Sequence, residues 1–179
     1  MGEVVTRRRW AYWALFIAIV IVVVFARLIP LQTTPSSWAA PDLLICLCFS
    51  WVLRRPDYMP VLLVAIVMLG TDFLFMRPPG LMAALTVLGA EFLRSRSHVL
   101  RELSFSLEWG MVAGVITGIM VANRVALIFV MAPRPSLSLS LSQLLLTLAV
   151  YPIVVAFSRY GLGIRKISPG EVDALGHRI

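Results

Sequence analysis

The residues most able to do chemistry here are charged side chains set inside or at the edge of apolar runs: Asp72, Arg77, Glu91, Glu108 and Arg124. A charge in hydrocarbon is costly, so each must be paired, reach the interface, or serve a function. Arg77 follows Asp72 closely, and helical spacing projects Arg124 onto the same face as a row of glycines. Asp72 is therefore expected to pair with Arg124 or Arg77 and staple helix ends. Glu91 and Glu108 lie near Arg94, Arg96 and Arg101, where solvated or loop-fixing ion pairs are expected. Cys46 and Cys48 sit one residue apart in an apolar run and suit packing better than a zinc site. His98 and Glu102 share a helical spacing, but two ligands make a weak metal site. Ser136, Ser138, Ser140 and Ser142 alternate with leucines and lack a neighbouring base. No glycine-rich phosphate loop, HExxH or GxSxG occurs. No catalytic residue, cofactor or metal is expected, and a membrane enzyme is the least favoured reading.

Such charges need elements to hold them, and the composition says which kind. Of 179 residues, 60% are hydrophobic and only 14% charged, with mean hydropathy +0.91. Soluble domains run nearer 45–50% apolar, and a chain this small cannot hide the excess in one core. Disordered chains are poor in apolar residues, which excludes disorder. The expectation is an all-α membrane protein of one domain, a six-transmembrane-helix bundle. Apolar stretches of spanning length or nearly so cover 10–29, 36–53, 58–75, 79–93, 105–132 and 139–160. Ser36, Ser37 and Pro41 can open the second helix, Pro152 should kink the sixth, and the serine run should be an outer loop leading into it. Residues 161–179 form a cytoplasmic tail. The first apolar run is too long for the core of a cleaved signal peptide and is expected to stay as a helix.

Orientation follows from arginine and lysine in short loops. With an inner N-terminus, the inner segments collect Arg7, Arg8, Arg9, Arg54, Arg55, Arg94, Arg96, Arg101, Arg159, Arg165, Lys166 and Arg178, which is 12 of the 16 basic residues. Both termini are then cytoplasmic. Trp10, Trp13, Trp51, Tyr58, Trp109 and Tyr160 fall at the inner interface, and Trp38 at the outer one. The net charge of +7 belongs to these loops, and no nucleic-acid partner is implied.

Lipid supplies no hydrophobic drive between helices, so close packing through small residues must hold the bundle. Gly110, Gly114, Gly118 and Ala122 recur every four residues in the fifth helix. Ala14, Ala18, Val22 and Ala26 do so in the first, and Gly80, Ala83, Ala84, Val87 and Glu91 share a face of the fourth. Each face could pack inside the bundle or seat another membrane protein.

The stretch Pro41-Asp42-Leu43 through Trp51, then Arg54-Arg55-Pro56, Gly70-Thr71-Asp72, Arg77-Pro78-Pro79-Gly80-Leu81 and Glu91-Phe92-Leu93-Arg94 resembles the MreD family of rod shape-determining proteins. The motif covers roughly the middle third of the chain. The resemblance implies a non-enzymatic protein of the bacterial inner membrane, working in cell elongation with MreC and, through it, MreB, RodA and a penicillin-binding transpeptidase during side-wall peptidoglycan synthesis. It also implies a bundle similar to the substrate-binding subunit of energy-coupling-factor transporters. The motif positions carried over are Gly70, Asp72, Pro79 and Gly80. The glycine face of the fifth helix or the alanine face of the first could then seat the transmembrane helix of MreC, and the basic loops could meet anionic lipids. The second reading is a substrate-binding membrane subunit of a vitamin-type transporter, with Asp72, Asn123, Arg124, Gln143 and the serines near 138 as outer pocket candidates.

Overall fold

Leu43–Arg54 has no polar face, and the reason is its position: from Leu44 to Arg54 every residue is buried. The computed structural model describes residues 2–29, 39–97, 104–133 and 135–162, with side chains from Arg9 onward in the first helix. Among these residues six helices follow in order: α1 Gly2–Leu28, α2 Leu43–Arg54, α3 Val61–Leu74, α4 Leu81–Ser95, α5 Phe105–Phe129 and α6 Leu137–Tyr160. A single 3₁₀ turn, Pro56–Tyr58, joins α2 to α3. Among the described residues there is no strand.

The helices surround α2. It packs on α6, α4 and α1, while α3 and α4 form a tight hairpin and α4 lies against α5. Phe16 of α1 meets the Trp51 ring at 5.2 Å, and Tyr12 stacks on Tyr58 at 4.8 Å. Gly89 allows α4 to approach closely. A Cβ there would fall 2.9 Å from Ile119 and Val115 and 3.0 Å from Phe49, so no larger residue fits without movement.

Among the described residues three segments are long and apolar enough to cross a membrane: Arg9–Leu28, Phe105–Phe129 and Leu137–Tyr160. The other three are shorter than expected. At 1.5 Å per residue, α2 is about 18 Å long and α4 about 22 Å, against a hydrocarbon core of about 30 Å. Proline sets these limits. Pro41 lies outside α2, Pro60 is the N-cap of α3, and Tyr58 belongs to the turn opened by Pro56. Helix α5 stops at Phe129, short of the expected 132, because Met131 takes a positive φ of 53° and Pro133 follows. Helix α6 starts earlier than expected, since Ser136 caps it by accepting the Leu139 N–H at 3.4 Å. Ser138, Ser140 and Ser142 therefore lie in helix rather than in a loop, and Ser136 is the cap. Ser36, Ser37, Trp38, His98, Arg101, Glu102, Arg134 and the tail from residue 163 lie outside the described residues, as do the Arg7 and Arg8 side chains.

Pro152 sits inside α6 and has no N–H, so the Leu148 carbonyl one turn earlier loses its helical partner. The Trp109 indole N–H of α5 fills that place, donating to the Leu148 carbonyl at 3.1 Å. The same proline that weakens α6 thus creates the acceptor that ties it to α5.

The alternating helices sort the arginines by end. Arg9, Arg54, Arg55, Arg94, Arg96 and Arg159 lie where α2 and α4 finish and α5 begins. Arg27, Arg77 and Arg124 lie at the opposite end. Arg9 donates to the Asp57 carbonyl, Arg94 to that of Met59, and Arg27 to that of Pro41. The outside between these ends is apolar: Ile21, Phe25, Leu62, Ile66, Leu145 and Ile153 are each at least 60% exposed. Soluble monomers rarely expose so much contiguous apolar surface.

Candidate functional site

Four places carry the polar or small residues a function could use. The first is a buried charge cluster. Arg54, in the last turn of α2, reaches Glu108 of α5 at 3.3 Å, with 5% and 1% of the two side chains exposed. The guanidinium also donates to the Ser50 carbonyl at 3.0 Å, and the Tyr151 hydroxyl of α6 donates to Glu108 Oε1 at 3.4 Å. Glu108 lies in the first turn of its helix, where a negative charge complements the helix dipole. The expectation of a solvated Glu108 is thus corrected: it is a buried acceptor joining three helices. Sequence reasoning placed Arg54 in a loop because it ends an apolar run. The available signal was that both charges close apolar helices at one end. Glu91 does form an ion pair with Arg94, at 3.2 Å and half-exposed.

The second place is the α3–α4 corner. Asp72 is buried, and its Oδ2 accepts the N–H of Gly80 and of Ala83, both at 3.1 Å. It therefore caps α4, whose own N-cap residue, Gly80, has no side chain to do so. Gly80 holds φ at +86°, a conformation that favours glycine. The expected pairing of Asp72 with Arg77 or Arg124 does not form, because the α4 N–H groups occupy the carboxylate. Arg77 faces Asp42 instead, at 3.6 Å, and Arg124 donates to Ser140 Oγ at 3.0 Å and the Pro135 carbonyl at 3.3 Å. Of the motif positions, Asp72 and Gly80 are joined directly, while Gly70 and Pro79 are exposed. Asp42 is itself almost fully buried, with its N–H on Thr147 Oγ1 at 2.9 Å.

The third place is a cavity of about 240 Å³ at this same end, between the α3–α4 corner and the α5–α6 corner. Arg77, Asn123, Arg124, Ser140 and Gln143 supply its polar lining, with Met82, Met120 and Leu127 among the apolar walls. It gathers Asn123, Arg124 and Gln143, separated by up to a helix in sequence. Asp72 and Ser138 do not line it.

The fourth place is the small-residue face of α5. Gly110, Gly114 and Gly118 are exposed, Ala122 half-buried, and a Cβ added at any of the three glycines would meet nothing within 4 Å. Ala14 and Ala18 of α1 are exposed as well; α1 touches the bundle through Phe16, Val20 and Val24 one face away. The glycine that packs internally is Gly89, which stands outside the face anticipated for α4. Both cysteines are buried, and Cys46 Sγ donates to the Thr147 carbonyl at 3.5 Å. Among the described residues no three His, Cys, Asp or Glu side chains gather as a metal site.

No family model, no curated protein and no solved structure matches this chain.

Proposed function

We propose that this chain is a non-enzymatic scaffold of the bacterial cell-elongation machinery, a rod shape-determining protein of the MreD type that crosses the inner membrane six times with both termini in the cytoplasm. In this reading α1, α5 and α6 cross as single helices. The shorter α2, α3 and α4 cross together with their flanking turns, sheltered by the longer helices. The reading includes a bundle similar to the substrate-binding subunit of energy-coupling-factor transporters.

The observation that carries the reading is the open glycine face of α5. Small residues on a membrane helix let another backbone come close, and van der Waals contact is then the driving force. Internal packing does not use Gly110, Gly114 or Gly118, since each has empty space beyond its Cα. A face so shaped and left uncovered suits a partner helix, and the single transmembrane helix of MreC is the proposed occupant. Ala14 and Ala18 offer a second such face on α1. MreB, RodA and the penicillin-binding transpeptidase would be reached through MreC, and the arginine-rich end would lie against anionic lipid at the cytoplasmic surface.

Copurification tests this reading. Leucine at Gly110, Gly114 and Gly118 together should abolish recovery of MreC while the bundle still inserts. Undiminished recovery would place the interface elsewhere.

The cavity near Arg124 favours a second reading, the binding subunit of a small-molecule transporter. A vitamin-type ligand copurifying with the chain would support it; a rod-to-sphere change on depletion supports the scaffold.

A further inference from the structure

We propose that the cavity between the α3–α4 and α5–α6 corners binds the phosphate group of an amphiphilic ligand, with Arg124 as its principal cation. Two arginines, Arg77 and Arg124, line the cavity, and no Asp or Glu does so among the described residues. The nearest acids are already engaged. Asp72 is buried under the N–H groups of Gly80 and Ala83, and Asp42 faces Arg77. Among the described residues Arg124 faces no carboxylate; its partners are a serine hydroxyl and a backbone carbonyl. A guanidinium carries five N–H donors in a planar fork that matches phosphate oxygens. Asn123, Ser140 and Gln143 add neutral hydrogen-bonding groups around the same space.

Size and setting narrow the ligand. A volume of about 240 Å³ holds a phosphate with a small polar head, and leaves no room for a whole lipid. The apolar walls include Met82, Met120 and Leu127, and the neighbouring surface carries Phe129, Val130 and Met131, all at least 70% exposed. An apolar chain attached to the phosphate would continue onto that surface. The assignment rests on the cavity alone and does not need the scaffold reading.

The full-length protein in neutral detergent tests it by equilibrium binding of three probes: short-chain phosphatidate, glycerol 3-phosphate and the matching diacylglycerol. Phosphatidate should bind, diacylglycerol should not, and Arg124→Gln should weaken phosphatidate by about tenfold or more, with Arg124→Lys intermediate. Gln143→Trp, which fills the cavity from α6 and leaves the arginine in place, should also remove binding. If glycerol 3-phosphate binds as tightly as phosphatidate, the apolar chain contributes nothing and the amphiphilic ligand is overturned in favour of a soluble phosphate ester. Equal binding of diacylglycerol, wild-type affinity in Arg124→Gln or in Gln143→Trp, or no binding of either phosphate probe would overturn it.

Discussion

Arg54, Glu108 and Tyr151 show how a few polar atoms govern an apolar bundle. Removing one partner leaves a charge buried without its counter-ion, which costs about 3–5 kcal/mol. Glu108→Ala should therefore lower the melting temperature in detergent sharply, whereas the paired change Arg54→Met with Glu108→Leu should recover most of the loss. Asp72→Ala should cost about 1–2 kcal/mol, since the capped N–H groups of Gly80 and Ala83 lose their acceptor. Both are read by thermal unfolding of the purified chain. The charges themselves were legible in the sequence, but their partners were not. Helical spacing locates residues on one helix, and the acceptors here come from other helices or from backbone N–H groups. Asp72 finds a helix start eight residues on, not an arginine, because those N–H groups carry partial positive charge and need an acceptor.

Helix α5 carries two kinds of surface on one cylinder. Val112, Ile116 and Ile119 are buried against the bundle, and Gly110, Gly114 and Gly118 point away from it. A regular small-residue row in a sequence cannot distinguish these roles, because the row has the same spacing whether it meets its own bundle or a partner. Gly89 has no such row around it, yet it is where α4 closes on Ile119 and Val115 of α5 and on Phe49 of α2. The contrast gives a paired experiment. Gly89→Leu should destabilise by roughly 1–3 kcal/mol or prevent folding, since Ile119, Val115 and Phe49 would have to move. Gly114→Leu should leave the melting temperature of the isolated chain unchanged or slightly raised, because leucine is the better helix former and has open space. The helix boundaries were legible to within a few residues wherever proline or a serine cap marked them. The shortness of α2 was not, because a helix buried on all sides is as apolar as one in lipid.

At the level of the whole molecule, composition alone pointed to a helical, membrane-type protein, and six of the nine arginines with described side chains gather at one end of the bundle. Under the proposed topology, cysteines introduced near Arg55 and near Arg96 should be labelled from the cytoplasmic side, and one near Pro79 from the periplasmic side, in a cysteine-free background. The reverse pattern would invert the bundle and move the phosphate-binding cavity to the cytoplasmic face. A scaffold with little mass beyond its helices must act through surfaces, and the open face of α5 is the one on which the proposal depends. The most direct measurement is site-specific photocrosslinking in living cells, with probes at Gly114 on α5, at Ala14 on α1 and, as a control, at Leu62 on the exposed side of α3. MreC should be captured from Gly114 or Ala14 and not from Leu62. Capture from Leu62 alone, or from none of the three in cells where MreC is abundant, would contradict the proposed scaffold.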